Sequence, residues 1–207
     1  SHQEIVPAIL PFYHIYGLVV IIGLYLRLGG KLVCVPQFTA DNFLKVLEDN
    51  RSTLLYVAPP LVQLLANDER FKKRHVETIK TVVSGAAPIG EEVLAKFLNK
   101  TPPSLKMVQG YGLTECIPVS LAADSPHTSV GHVVSNAQIR IVGTEAENAG
   151  NNLGVDEVGE IYVRGPQVMK GYYENPEATA NCMEGEWFKT GDLGCYDKSD
   201  SLITGPL

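Results

Sequence analysis

The sequence predicts an α/β fold in which a mostly parallel sheet flanked by helices is followed by a β-rich, barrel-like subdomain. Up to about residue 124, short apolar strands alternate with amphipathic helices, which is the pattern of a parallel sheet covered by helices. Beyond that point the strands alternate apolar and polar residues, as half-buried antiparallel strands do. We therefore expect an α/β subdomain at residues 1–124 and a β-rich subdomain at residues 125–207.

Composition and charge are typical of a soluble globular chain. Of the 207 residues, 45% are hydrophobic and 19% are charged. The net charge of −6 provides no basic surface, so we expect no nucleic-acid partner. The longest apolar run, Leu18–Leu26, is too short for a transmembrane segment, and no signal peptide opens the chain. The cysteines are widely spaced, which argues against a zinc site and fits a reducing compartment. They are Cys34, Cys116, Cys182 and Cys195.

The beginning of the chain predicts two strands separated by a buried helix. Ile5–Pro11 is a short apolar run that ends at a proline, which favours a buried strand. Leu18–Leu28 is apolar on nearly all sides, so we expect a buried helix that ends at Gly29-Gly30. Lys31–Val35 is the second predicted strand.

The middle of the chain continues the alternation of helix and strand. Thr39 or Asp41 can cap a helix that carries apolar residues on one face. Thr53–Ala58 is a β-branched and apolar strand, and we expect Pro59-Pro60 to close it. The remaining predicted elements are, in order, the helix Leu61–Ala66, the strand Thr81–Ser84, the turn Gly85–Pro88, the helix Glu91–Leu98 and the strand Lys106–Val108.

The last part of the chain has the alternating pattern of antiparallel strands. Ala137–Val142 and Glu160–Arg164 alternate apolar and polar residues. Gly143–Glu157 lies between them and is rich in Asn, Gly and acidic residues, which favours a long surface loop. A short helical turn is expected near Pro176–Asn181.

The stretch Val108–Ser120 carries the residues with the clearest chemistry. It contains Gly110-Tyr111-Gly112, followed by Thr114 and Glu115. Glycines after a strand allow a tight turn and a close approach of the backbone to a ligand. The ring can stack on a flat base, the hydroxyl and backbone N–H groups can bind a phosphate, and the carboxylate can hold Mg²⁺. An ordinary glycine turn after a strand explains the same residues, so chemistry alone leaves both interpretations open.

Five motifs, which follow one another along nearly the whole chain, resemble those of the adenylate-forming enzymes, the acyl- and aryl-CoA ligases. They are Leu10–Gly17 (LPFYHIYG), Ser84–Pro88 (SGAAP), Gln109–Glu115 (QGYGLTE), Gly159–Gly165 (GEIYVRG) and Trp187–Asp192 (WFKTGD). The resemblance is closest to the 4-coumarate–CoA ligases and their firefly-luciferase-like relatives. One such motif is weak, but five in the same order are specific.

The resemblance implies a reaction in two steps. A small carboxylic acid, aryl or fatty, attacks the α-phosphate of ATP and gives an acyl adenylate and pyrophosphate. The thiolate of CoA then displaces AMP. Positioning and charge stabilisation by Mg²⁺ and by donors of the loops would dominate the first step. The implied ligands are therefore ATP or AMP, Mg²⁺, CoA and the acid.

The resemblance also implies which residues form the site. The implied catalytic residues are His14, Thr114 and Glu115, and Glu115 is also the implied metal-side residue. The implied nucleotide contacts are Ala86, Gln109, Gly110, Tyr111, Gly112, Thr114 and Asp192. The implied residues of the acid pocket are His14, Tyr16, Pro118 and Val119.

Several of these residues have a plain structural alternative. His14 lies among aromatic residues and can be a packed core histidine, whereas Pro118 and Val119 can be strand-edge packing. Asp192 follows a glycine and can be a turn residue. The resemblance favours the functional roles: the matching His of related ligases lies near the carboxylate under activation, and the matching Asp accepts hydrogen bonds from the ribose hydroxyls.

The family pattern is not complete in this chain. Gln37 stands where some relatives use a Lys towards CoA, which leaves the CoA contact open. The family's phosphate loop is expected before residue 1 and its lid domain, with the adenylation Lys, after residue 207. We therefore expect the 207 residues alone to be inactive. A non-catalytic nucleotide- or acyl-binding fragment or an interaction module is the alternative, and a plain α/β binding module is a third. An intracellular location, cytoplasmic or peroxisomal, is expected.

Overall fold

The computed structural model describes residues 3–122 and 129–204. The chain divides into two compact units, Ser1–Val108 and Gln109–Leu207. The subdomain boundary that the sequence predicts, between residues 124 and 125, lies outside the described residues.

The first unit is built on parallel strand pairs. Strand β1 (Ile5–Ala8) pairs with β2 (Lys31–Cys34), and β3 (Leu54–Val57) pairs with β4 (Thr81–Ser84), both in parallel. Strand β5 (Lys106–Leu113) follows β4 in the strand order and continues into the second unit. The parallel strands predicted from the alternation of helix and strand are therefore present.

Helices connect these strands. In chain order they are a π-helix at Tyr16–Gly23, α1 at Leu24–Leu28, α2 at Ala40–Asp49, α3 at Pro59–Asn67, a 3₁₀ turn at Lys73–Val76 and α4 at Glu91–Asn99. Thr39 rather than Asp41 caps α2, because the Thr39 Oγ1 accepts a hydrogen bond of 3.1 Å from the Asn42 N–H. Pro59 and Pro60 begin α3 instead of closing β3, since a proline in the first helical turn has no N–H to leave unpaired.

The core of the first unit lies between α2, α3, α4 and the strands β3 and β4. Leu47 of α2, Leu55 of β3 and Leu65 of α3 are each at most 1% exposed. The rings of Phe71 and Phe97 stack in the same cluster with centroids 5.8 Å apart. The apolar faces that the periodicity predicts for these helices are therefore the faces that pack.

The prediction that Leu18–Leu28 forms a fully buried helix is wrong. Ile21 and Tyr25 are buried, at 0% and 4% exposure, but Leu26 and Leu28 are 67% and 65% exposed. The segment packs along one side only, so the other apolar side chains remain at the surface of the unit. A helix that is apolar on every side could pack on any face. Its sequence therefore does not indicate which face is buried.

The second unit is β-rich and antiparallel. Strand β5 pairs with β6, and β6 pairs with β7; a second sheet has the order β10-β11-β9-β8, with β12 paired to β11. The bounds are β6 Cys116–Leu121, β7 His132–Val133, β8 Gln138–Val142, β9 Gly159–Arg164, α5 Pro176–Cys182, β10 Met183–Glu184, β11 Trp187–Tyr196 and β12 Leu202–Thr204. The predicted antiparallel strands are thus confirmed at β8 and β9, and the predicted helical turn at α5.

Alternate residues of these strands form the core of the second unit. Ile141, Ile161, Val163, Phe188 and Leu202 are 0–3% exposed and pack in one cluster. Within the part of the chain that the structure describes, no helix is long and apolar enough to cross a bilayer.

The one-sided packing of the π-helix and α1 predicts unequal effects of two similar truncations. Ile21→Ala should lower the free energy of unfolding by about 2–5 kcal/mol, the range for emptying a packed site. Leu26→Ala should change it by less than about 0.5 kcal/mol, as exposed substitutions do. Urea unfolding of both variants measures the difference, and equal losses would contradict the observed exposure.

Candidate active site

The β5–β6 hairpin carries most of the predicted nucleotide-side residues. Leu113 pairs with Cys116, so Thr114 and Glu115 form the two-residue connection between the strands. Thr114 is exposed and Glu115 is half-buried. The hairpin therefore presents a hydroxyl and a carboxylate side by side at its end.

The prediction that Gly110 and Gly112 form a tight turn is wrong, because both glycines lie within β5. Neither has a positive φ. A Cβ on Gly112 would lie 2.9 Å from the Cγ1 of Ile117, and a Cβ on Gly110 would lie 3.3 Å from the Cδ1 of Leu121. At Gly112 the Ile117 side chain would have to shift to admit a Cβ, and at Gly110 the contact with Leu121 would be tight, so crowding and not backbone conformation disfavours a larger residue.

The structure brings together Tyr111 and Asp192, which are 81 positions apart in the chain. The Tyr111 hydroxyl donates a hydrogen bond of 2.6 Å to Oδ2 of Asp192. Burial of the ring, followed by this hydrogen bond, raises the pKa of the Tyr111 phenol well above its usual range. The hydroxyl is therefore a stable donor at neutral pH. Within the described residues, Oδ1 of Asp192 accepts no hydrogen bond.

A β-bulge in β11 presents Asp192. The pairing of β11 with β9 is interrupted between Lys189 and Leu193. The hydroxyl of Thr190 donates to the Ile161 carbonyl at 2.7 Å and accepts from the Asp192 N–H at 3.1 Å, which fixes the bulged backbone. Bulges of this kind redirect a side chain out of the strand. Asp192 thus lies within β11 at this bulge and not in a turn, and its side chain is exposed.

A second carboxylate is held from outside the hairpin by the segment Gln167–Tyr172. The Tyr172 hydroxyl donates to Oε1 of Glu115 at 2.8 Å, and the Met169 N–H donates to the Glu115 carbonyl at 2.8 Å. The bond to Glu115, followed by desolvation, raises the pKa of the Tyr172 phenol to about 12. Sequence reasoning missed Tyr172; its only signal was an aromatic residue directly after Gly171.

The described residues offer carboxylate oxygens for a cation but no complete protein cage. Among residues 3–122 and 129–204, no group of three or more His, Cys, Asp or Glu side chains is close enough to hold a metal ion. Oε2 of Glu115 accepts no hydrogen bond from these residues. Mg²⁺ is commonly bound by one or two carboxylates together with water and substrate phosphates. A single available oxygen therefore fits a magnesium ion shared with a nucleotide.

In the first unit, His14 and Tyr16 lie at the start of the π-helix. His14 is exposed, and its Nδ1 accepts a hydrogen bond of 3.1 Å from the Tyr16 N–H. Because Nδ1 accepts, the proton of the neutral ring lies on Nε2. Tyr16 is buried, and its hydroxyl donates to the Val83 carbonyl at 3.2 Å. His14 is therefore not a packed core histidine, whereas Tyr16 is buried.

The loop after β4 also carries a predicted nucleotide contact. Ala86 is exposed and has a φ of +78°. Such a conformation is uncommon for residues other than glycine, and strained backbone of this kind clusters at functional sites. The hydrogen bond from Tyr16 to Val83 ties the segment of His14 to the strand that leads into this loop. Within the first unit, the structure thus connects the segment of His14 and Tyr16 with the strand that leads to Ala86, a predicted nucleotide contact.

Comparison with known proteins gives the family. The AMP-binding enzyme family matches residues 1–173. The chain belongs to this family. It is 36% identical over 209 residues to 4-coumarate–CoA ligase 1 of Oryza sativa subsp. japonica, a match that covers 97% of this chain and 36% of that one. It is 37% identical over 214 residues to 4-coumarate–CoA ligase 2 of Nicotiana tabacum, with 97% and 38% covered. This member of the AMP-binding family thus spans little more than a third of the length of these relatives.

Solved structures agree with the family assignment. ATP-bound MatB from Rhodopseudomonas palustris superposes with a TM-score of 0.87 at 27% identity, over 98% of this chain and 40% of that chain. The O-succinylbenzoate coenzyme A synthetase MenE from Bacillus subtilis, in complex with AMP, gives a TM-score of 0.77 at 25% identity, over 98% and 40%. The α/β fold class and the resemblance to adenylate-forming enzymes are both confirmed.

The remaining predicted site residues of this AMP-binding family member differ in exposure. Val119 is 0% exposed and packs in the core of the second unit, whereas Pro118 is exposed. Gln109 is buried in β5, and its carbonyl accepts from the Ala122 N–H at 2.8 Å. A single cleft lined by Tyr16, Pro118 and Val119 stays a prediction.

The crowding at Gly112 can be tested by stability. Gly112→Ala should lower the free energy of unfolding by about 1–3 kcal/mol, the range for overpacking, because the new methyl group would meet Ile117. The loss should shrink in an Ile117→Ala background, where that contact is removed. Urea unfolding of the wild type, both single variants and the double variant measures the coupling. A Gly112→Ala variant as stable as the wild type would refute the explanation.

Proposed function

We propose that this chain provides part of the carboxylate-activation site of an ATP-dependent acid–CoA ligase. In this reaction, a carboxylate oxygen attacks the α-phosphate of ATP and pyrophosphate leaves. The thiolate of CoA then attacks the acyl carbon of the adenylate and AMP leaves. Membership of the AMP-binding family and 36% identity to 4-coumarate–CoA ligase 1 support this assignment.

The hydrogen bond between Tyr111 and Asp192 is the observation that carries the proposal. A nucleotide contact of this kind needs an aromatic face for the base and a carboxylate for the ribose hydroxyls. The ring of Tyr111 would provide the aromatic face for the base, and its hydroxyl donates a hydrogen bond to Oδ2 of Asp192. Oδ1 of Asp192 remains to accept from a ribose hydroxyl. The hydrogen bond between two distant parts of the chain, both proposed to contact adenosine, supports this assignment.

The hairpin connection supplies the phosphate side of the proposed site. The hydroxyl of Thr114 can donate to a phosphate oxygen, and Glu115 would hold Mg²⁺ through Oε2. When bound, Mg²⁺ neutralises charge that develops on the phosphates. The backbone at Ala86 and the strand residues Gln109, Gly110 and Gly112 complete the proposed nucleotide contacts.

The residues proposed for the acid side are His14 and Tyr16 in the first unit and Pro118 and Val119 in the second. His14, with a proton on Nε2, can donate to the carboxylate under activation and orient it. The apolar and aromatic character of the other residues favours an aryl or fatty acid. CoA as acceptor and a cytoplasmic or peroxisomal location belong to the same proposal.

Substitution of Tyr111 tests the adenine contact. Tyr111→Ala should weaken AMP binding by about 1–3 kcal/mol, the range for stacking of a base on an aromatic ring. Tyr111→Phe should retain most of the affinity, since it keeps the ring and removes only the hydroxyl. Isothermal titration calorimetry with AMP measures both. Unchanged affinity in a folded Tyr111→Ala variant would remove the stacking contact.

Substitution of Asp192 tests the ribose contact and, with it, the proposed function. Asp192→Asn should weaken AMP binding about 10-fold, because a hydrogen bond to a charged group contributes about 1.5–3 kcal/mol. The amide oxygen of Asn can still accept from Tyr111, so the local structure is retained. Binding of 2′,3′-dideoxy-AMP should be the same for wild type and variant. If AMP does not bind the wild-type chain, or if both nucleotides lose equally, the proposal fails.

A further inference from the structure

A second segment, Gln167–Tyr172, forms hydrogen bonds with the hairpin connection and β6, and we term this segment the strap. The Gln167 Nε2 donates to the Pro118 carbonyl at 3.1 Å, and Val168 forms an isolated antiparallel bridge with Cys116. Together with the bonds to Glu115 described above, the strap contacts consecutive parts of β6 and of the connection before it. The strap therefore follows the chain on one side of the catalytic carboxylate.

Tyr172 is the residue of the strap that reaches the carboxylate itself, and its backbone is anchored independently. The Tyr172 N–H donates to Oγ1 of Thr179 at 2.9 Å, and that hydroxyl donates to the Asn175 carbonyl at 2.9 Å. The Asn175 side chain in turn caps α5 by accepting from the Ala178 N–H at 3.1 Å. The ring is thus held at its backbone end by α5 and at its hydroxyl end by Glu115.

We propose that Tyr172 is a positioning residue that orients the Glu115 carboxylate for a Mg²⁺-bound nucleotide. The inference rests on the proposed function and goes beyond it by assigning the residue through which Glu115 acts. The phenol occupies Oε1 at 2.8 Å, whereas Oε2 accepts no hydrogen bond from the described residues. The bond from Tyr172 is the one side-chain hydrogen bond that Glu115 makes among the described residues. A hydrogen bond to Oε1 would orient Oε2 towards the cation, because hydrogen-bond partners of metal ligands fix the orientation of those ligands.

A purely structural brace would have a different effect from a positioning residue. A brace that holds the strap against the hairpin affects stability and every ligand of the site equally. A positioning residue affects only binding that depends on the cation, and only while Glu115 can bind the cation. AMP binding without metal and ATP binding with Mg²⁺ therefore separate the two roles.

Four variants and two probes form the experiment. The variants are Tyr172→Phe, Glu115→Gln, their combination, and Tyr173→Phe as the matched control, since Tyr173 is the neighbouring tyrosine and is 90% exposed. The probes are AMP without metal and ATP titrated at increasing Mg²⁺ concentrations, both followed by calorimetry. Thermal unfolding of each variant shows whether it is folded.

The expected result is selective. Tyr172→Phe should weaken the Mg²⁺-dependent gain in ATP affinity about 10-fold, the lower end of the effect of removing a partner of a metal ligand. AMP binding should be unchanged, and Tyr173→Phe should behave as the wild type. In the Glu115→Gln background, where the Mg²⁺-dependent gain is already lost, Tyr172→Phe should have no additional effect.

The other outcomes overturn the inference in distinguishable ways. A wild-type Mg²⁺ dependence in Tyr172→Phe, or a loss that persists in the Glu115→Gln background, would show that Tyr172 does not act through Glu115. An equal loss of AMP and ATP affinity would make Tyr172 a structural brace. Absence of AMP binding to the wild-type chain would instead remove the proposed function, and ATP binding indifferent to Mg²⁺ would remove the metal role of Glu115.

Discussion

Pairing between β5 and β6 is the constraint on which the candidate nucleotide side depends. The pairing places Tyr111 in a strand and leaves only Thr114 and Glu115 to connect the two strands. It also crowds positions 110 and 112, since a methyl group at 112 would displace the Ile117 side chain and one at 110 would make a tight contact with Leu121. Groups carried on paired strands are held more tightly than groups on free loops. Crowding within the hairpin therefore accounts for these glycines without reference to a ligand.

Local patterns predicted the elements that bury one face. The helix α4 and the strands β8 and β9 have a clear periodicity, which indicates which side of each element packs against the core. The order of five motifs then gave the family, and the match of the AMP-binding family to residues 1–173 confirms it. The pairing of Tyr111 with Asp192 was not predicted as a contact, although both residues were assigned to one ligand. The resemblance thus assigned two distant residues to the same implied ligand, which periodicity alone could not do.

What the sequence did not reveal depends on contacts between distant segments. Leu26 and Ile21 are equally apolar, and only packing decides that one is 67% exposed and the other is buried. The sequence of β6 does not show which of its two faces packs inwards. Val119 lies on the face that packs into the core. Tyr172 had no signal beyond an aromatic residue after Gly171, because its hydrogen bond joins a hydroxyl to a carboxylate 57 positions away in the chain. Such contacts depend on the tertiary fold, and no short stretch of sequence predicts them.

The bulge in β11 has a consequence for the entropy of ligand binding. Thr190 and its neighbours leave the ladder for a few residues, and regular pairing with β9 resumes at Leu193. A carboxylate on a surface loop would lose backbone freedom when a ligand immobilised it, and that loss subtracts from affinity. Asp192 projects from backbone that is already fixed on both sides by the sheet. The conformational entropy of that segment is therefore lost when the protein folds, and a ligand that contacts Asp192 does not have to order it again.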